Sequence, residues 1–282
     1  MKLVRFGNKG KERPGLIDPS GSLRDLSGKI SDITADTLSP NNLRQLQDLN
    51  LDNLPEVKGT PRLGVPISDI PKIVAVGQNY MNHILEMGYT PPEEPVLFLK
   101  AISSVVGPYD PIIKPKTSTK LDYEVELAAI IGQTAVNVNA AESLDYIAGY
   151  CIMNDVSERA FQRERAGGTT KGKSANTFGP LGPWLVTADE FGEPQKKRIW
   201  TKVNNEIRQD GNTSDMVFGM AELVAYVSEF MALNPGDVLT TGSPHGVAAG
   251  FKPPKWLQPN DVIDMGIEGL GQQKHEIISY PG

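Results

Sequence analysis

The chain has 282 residues, 39% of them hydrophobic and 22% charged, which predicts one large packed domain, alone or with a small companion, and excludes a disordered chain. Its net charge of −6 argues against nucleic acid or an anionic membrane as a partner, and no stretch approaches the roughly 20 apolar residues of a spanning helix. A single cysteine, Cys151, excludes an internal disulfide framework, and without an apolar signal segment the expected compartment is the cytosol.

Residues 1–68 read as a small N-terminal domain and 69–282 as the larger one. Weak alternation over Met1–Gly7 leads into a hairpin around Pro19–Gly21. Ser39-Pro40 starts a helix with Leu43, Leu46 and Leu49 as its apolar stripe, and the Pro-rich run from Pro55 to Pro71 is the expected linker. Nothing in this part carries evident chemistry. Lys72–Gln78 follows as a buried strand, then Asn79–Gly88 as a short helix closed by glycine. His83 and Glu86 lie three apart and can meet on one helical face, where the carboxylate would fix the imidazole tautomer. That pairing suits a surface ion pair as well as a catalytic dyad. The Pro-rich segment Tyr89–Pro95 after it makes the helix lid-like.

Pro95–Lys100 reads as a strand ending in lysine, and Gly107–Pro115 as a Pro-rich connection. Asp122–Gly132 is then a strand that places Glu124 and Glu126 on one face, with Val125, Leu127 and Ala129 on the other. Two like charges entering an apolar run repel and resist desolvation, which a divalent cation with oxygen ligands would relieve; a solvated edge would also accommodate them. Ala148–Asp155 is a second apolar strand, and Asp155 at its end offers a third oxygen ligand. A charged helix is expected over Val156–Arg165, with Arg159 and Gln162 one turn apart.

Gly167–Ser174 fits the nucleotide-binding pattern G-x-x-x-x-G-K-[ST] letter for letter. A phosphate cradle needs a buried strand before the glycines and a helix after the serine. Here a charged helical segment precedes it, and Pro180 and Pro183 follow within nine residues, so the match is accidental. Lys173 can still face an anionic ligand. Leu185–Thr187 and Ile199–Asn204 read as strands, and Met220–Met231 as an amphipathic helix with Leu223, Val224, Val227, Phe230 and Met231 on its apolar face. Gly236–Val247 runs from a strand into a Gly/Pro loop where backbone can approach a ligand. Many short strands with few helices predict a β-rich α+β fold.

These pieces together resemble the fumarylacetoacetate hydrolase family. The resemblance rests on Gly77-x-Asn79-Tyr80-x-x-His83-x-x-Glu86, Pro95-x-x-Phe98-x-Lys100, Asp122-Tyr123-Glu124-Val125-Glu126-Leu127 and Asn154-Asp155-Val156-Ser157-x-Arg159-x-x-Gln162. It continues through Lys173-Ser174, Thr177–Pro180, Arg208–Thr213, Pro235–Asp237, Thr241–Val247 and Glu268–Gly271. It implies a β-roll catalytic domain, a homodimer, and Mg²⁺ or Mn²⁺ bound by Glu124, Glu126 and Asp155. His83 and Glu86 fall on the water-activating pair, and Lys173 and Gln162 on polar groups at the reacting centre. Tyr80, Arg159, Thr177 and Ser243 fall on substrate-binding positions. The N-terminal part and Gly179–Trp184 look most like a bacterial subgroup that cleaves 2,4-diketo-3-deoxy sugar acids, whose members often carry the label ureidoglycolate lyase. Asn82, Ala160, Ser243 and Ala248 depart from the usual residues; Ser243 keeps the hydroxyl. The implied reaction is metal-dependent hydrolysis of a carbon–carbon bond in a 2,4-diketo acid. The alternatives are oxaloacetate decarboxylation or a ureidoglycolate-type lyase at the same site, and, from another class, a non-catalytic binding protein stabilised by a cation.

Overall fold

The computed structural model describes residues 1–281. Its centre is the strand Val125–Ile131, which is buried along its whole length. Val125, Leu127, Ala129 and Ile131 point into one apolar cluster, and Ala128 and Ile130 into a second on the opposite face. Burial on both faces explains why the run is almost continuously apolar; only Glu126 interrupts it. Ile147–Asn154, the neighbouring strand, is likewise fully buried.

From edge to edge the large sheet runs Leu23–Asp25, Arg13–Ile17, Lys2–Phe6, Gly179–Thr187, Ile147–Asn154, Val125–Ile131, Val238–Thr240, Ile73–Gly77 and Val96–Lys100. Val105–Val106 pairs beside the start of Gly179–Thr187. A smaller sheet orders Glu206–Asn212, Arg198–Val203, Val262–Ile267, Gly271–Ser279 and Ile112–Lys114. The main apolar cluster draws from both sheets and from the helix Met220–Phe230. Gln209, on the smaller sheet, is fully buried and accepts from the Val125 amide at 3.2 Å. The architecture is the β-rich α+β fold expected from the sequence.

The expected division after residue 68 does not interrupt the sheet. Lys2 pairs with Val186 and Leu3 with Leu185, and Leu3, Leu16, Leu26 and Ile33 share an apolar cluster with Ala128, Cys151 and Met153. Three local expectations change. Val156 does not start a helix: Ser157–Glu158 pairs as a short strand with Leu121–Asp122, and the helix is Arg159–Arg163, with the Glu158 carboxylate accepting from the Ala160 amide. The strand expected over Leu185–Thr187 begins earlier, and Gly179–Thr187 runs continuously through both prolines. Phe230 is 62% exposed rather than on the buried face of its helix, and it packs on Tyr226 at 4.9 Å between ring centroids.

The phosphate-cradle context is absent, as the prolines implied. The helix Arg159–Arg163 precedes the glycines, and a short helix, Thr169–Lys173, lies inside the motif instead of after it.

Candidate active site

Strand register assembles the acidic cluster. Val125 pairs with Asn154, and the Asp155 amide donates to the Glu124 carbonyl at 2.8 Å, so Asp155 stands opposite Glu124. Glu126 follows two residues along on the same face. The three carboxylates can each offer one oxygen with all three oxygens inside 4.8 Å of one another, and all three residues are buried. The solvated-edge reading of Glu124 and Glu126 is thereby removed.

Basic side chains converge on the cluster. Arg159 Nε donates to Asp122 at 2.8 Å and Nη2 to Glu124 at 2.5 Å. Lys173 bridges Glu124 and Asp155, and Lys100 donates to Asp155 at 2.7 Å. Burial works against ionisation of Glu124, but the Arg159 and Lys173 charges outweigh it and hold its carboxyl well below the usual range. Glu126 goes the other way: burial and the neighbouring Asp155 charge push its pKa up. Among the described residues Glu126 has no ion-pair partner, and its recorded hydrogen bond is from the Gly242 amide at 3.1 Å. Three hard oxygen donors, one of them without a cationic partner, fit a divalent cation of the Mg²⁺ or Mn²⁺ kind.

His83 and Glu86 lie on the helix Met81–Glu86, with Nδ1 3.2 Å from Glu86 Oε2. Glu86 is held in turn by the Gly246 amide, which donates to its two oxygens at 2.9 and 3.1 Å. Gly246 has φ +93°, and a Cβ there would stand 1.9 Å from the Arg208 carbonyl oxygen, so the approach requires glycine. Far from hanging free, the lid-like segment is anchored at both ends. Asn79 donates to the Thr241 and Phe218 carbonyls at 2.9 and 3.1 Å, and Asn82 and its amide reach Asp215 at 3.0 Å.

A cavity of about 280 Å³ opens beside these groups, and His83, Glu124, Glu126, Arg159, Gln162, Lys173 and Ser243 line it. Gln162 Oε1 accepts from Arg159 at 3.2 Å, which leaves its amide nitrogen available as a donor. Ser243 Oγ accepts from Gln209 at 2.8 Å. Asp155 and Glu86 stand behind the lining. Tyr80 does not join it; its ring is fully buried and, among the described residues, its hydroxyl has no hydrogen-bond partner. Thr177 is also off the cavity surface, and its hydroxyl accepts from the Ile113 amide at 2.8 Å.

Sequence reasoning passed over several contributors. Asp122, Lys100, Asn79 and Gln209 all stood inside motifs already noticed, but with no role attached. Asp122 binds Arg159 and accepts from the Ala248 amide at 2.7 Å, so it joins the acidic strand to the loop beyond Gly246. The signal for Lys100 was a charged residue ending an apolar strand. Arg163 and Phe98 also line the cavity, with Lys173 Nζ 5.2 Å from the Phe98 ring centroid.

A family profile described as fumarylacetoacetate (FAA) hydrolase, C-terminal, matches residues 72–278. A Burkholderia lata protein provisionally named a hydrolase is 48% identical over 274 residues, covering 97% of each chain. The solved fumarylacetoacetate hydrolase of Exiguobacterium antarcticum is 37% identical with a TM-score of 0.88, covering 99% of this chain and 100% of its own. Maleylpyruvate hydrolase of Sphingobium sp. SYK-6, solved with manganese(II) and pyruvate, is 26% identical with a TM-score of 0.82 and full coverage of both chains, 100% each.

Proposed function

Starting from a chain that belongs to the fumarylacetoacetate hydrolase family, we propose that it is a divalent-metal-dependent hydrolase cleaving a 2,4-diketo acid into pyruvate and a carboxylic acid. The observation that carries this reading is one cavity bounded on one side by the Glu124–Glu126–Asp155 cluster and on another by His83 backed by Glu86. Mg²⁺ or Mn²⁺ held by those three carboxylates would supply Lewis acidity and a template for the keto-acid end of the substrate.

The chain's own groups divide the remaining work. Glu86 takes up His83 Nδ1, so Nε2 is the nitrogen left to accept a proton from water. The resulting hydroxide adds to the distal carbonyl carbon, and the Gln162 amide donates to the oxyanion that forms. Collapse breaks the bond to the adjacent carbon and releases the acid. The electron pair stays on the pyruvate fragment, near the Lys173 ammonium, until that carbon takes a proton back from His83. One water is consumed, and the proton returns to product. A purely structural cation site would need neither the dyad nor a cavity beside it. We further propose a homodimer in the cytoplasm, with acylpyruvates and diketo sugar acids as the two substrate groups to be compared within the class.

Purified protein tested against acylpyruvates, a 2,4-diketo-3-deoxy sugar acid and oxaloacetate decides the matter, with products identified after adding metal and again after chelation. Metal-dependent release of pyruvate plus an acid is expected. Carbon dioxide from oxaloacetate as the dominant product, or no turnover of any diketo acid, would overturn the proposal.

A further inference from the structure

Three basic side chains line the cavity: Arg159, Arg163 and Lys173. Two of them are committed. Arg159 holds Asp122 and Glu124, and Lys173 holds Glu124 and Asp155. Arg163 is different, because among the described residues it has no acidic or hydrogen-bonding partner. It sits four residues after Arg159 on the helix Arg159–Arg163, so the two side chains project from the same face one turn apart. Arg159 reaches down to the carboxylate cluster, while Arg163 is exposed at the outer part of the cavity. The cavity lining is also partly apolar, with Val76, Val96 and Phe98.

A diketo acid bound by its keto-acid end at the cluster would extend its acyl chain outward along this lining. An unpaired guanidinium at the far end presents a fork of N–H donors matched to a carboxylate. We infer that Arg163 binds a terminal carboxylate on the acyl part of the substrate, so that the acid released carries two carboxyl groups. This rests on the diketo-acid reading above and narrows it to doubly anionic substrates; a sugar acid with a neutral hydroxylated tail would leave Arg163 unused.

The test compares butanoylpyruvate with succinylpyruvate, which have acyl chains of equal carbon number ending in methyl and carboxylate. The wild-type protein, saturated with Mn²⁺, should favour the succinyl compound in kcat/KM, chiefly through KM. In Arg163→Gln that preference should fall about tenfold or more, as expected for loss of a charge-assisted hydrogen bond, and Arg163→Lys should retain part of it. An unchanged ratio in Arg163→Gln would overturn the inference while leaving the diketo-acid reading intact. Equal loss on both substrates would also overturn it, by placing Arg163 at the pyruvate end. If the wild-type protein turned over neither compound, the underlying reading would fall and this inference with it.

Discussion

Glu126 differs from its two companions in charge balance. Glu124 and Asp155 each have basic partners, whereas Glu126 is buried beside Asp155 and, among the described residues, has no cation of its own. Glu124→Gln and Asp155→Asn should abolish Mg²⁺ and Mn²⁺ binding and turnover together while the chain stays folded. Calorimetric titration reads this directly, and unchanged affinity in both variants would refute the ligand assignment. His83 should behave differently, since in the proposed mechanism it serves the water and not the metal. His83→Ala should lower acylpyruvate hydrolysis by about 100- to 10,000-fold. Any side decarboxylation of oxaloacetate should fall much less, because the carboxylates and Lys173 remain. Both rates belong on one metal-saturated preparation; parallel losses would mean that the dyad serves another purpose.

Among the elements, the loop after Val238–Thr240 joins the two halves of the site. Its Gly242 amide donates to Glu126, its Gly246 amide to Glu86, and the Gly246 carbonyl accepts from the Tyr123 hydroxyl at 2.9 Å. Gly246→Ala would drive a Cβ into the Arg208 carbonyl, displace the loop and release Glu86. Turnover should drop about 100-fold or more, the scale of general-base help, while much of the metal affinity persists. Loss of metal binding on the same scale as turnover would show that the loop supports the cluster instead. The acidic cluster was legible because two glutamates in an apolar strand and an aspartate ending another form a local pattern. Register then does the rest. The loop's role was not legible, because Gly246 meets Glu86 across 160 residues of chain. Likewise, nothing local distinguishes the partner of Asp122 from any other arginine. The helix expected from Val156 failed for a similar reason: pairing of Ser157 with Asp122, a distant contact, overrode the local charge pattern. Phe230 followed the helical period, but at the helix C-terminus it stays mostly exposed, packed against Tyr226 one turn back.

For the molecule as a whole, the first 68 residues complete a sheet instead of decorating it. Lys2–Phe6 covers the edge of Gly179–Thr187, and Leu3, with Leu16, Leu26 and Ile33, completes a cluster built partly from the strand that carries Glu126. Deleting residues 1–68 should therefore expose an unpaired strand edge and that apolar cluster together, and give aggregated protein. A soluble, monodisperse 69–282 fragment with wild-type turnover, seen by light scattering and assay, would show the two parts to be independent. At this scale the central claim is that a cation at Glu124, Glu126 and Asp155 is what makes the cavity a hydrolase. Its most direct test is to titrate Mn²⁺ into chelator-treated protein and follow calorimetric occupancy and 2,4-diketo acid cleavage on the same sample. The account predicts one high-affinity ion per chain, turnover rising in proportion to occupancy, and neither signal in Glu124→Gln. Cleavage at the full rate before any ion is bound, or ion binding that leaves the rate unchanged, would contradict it.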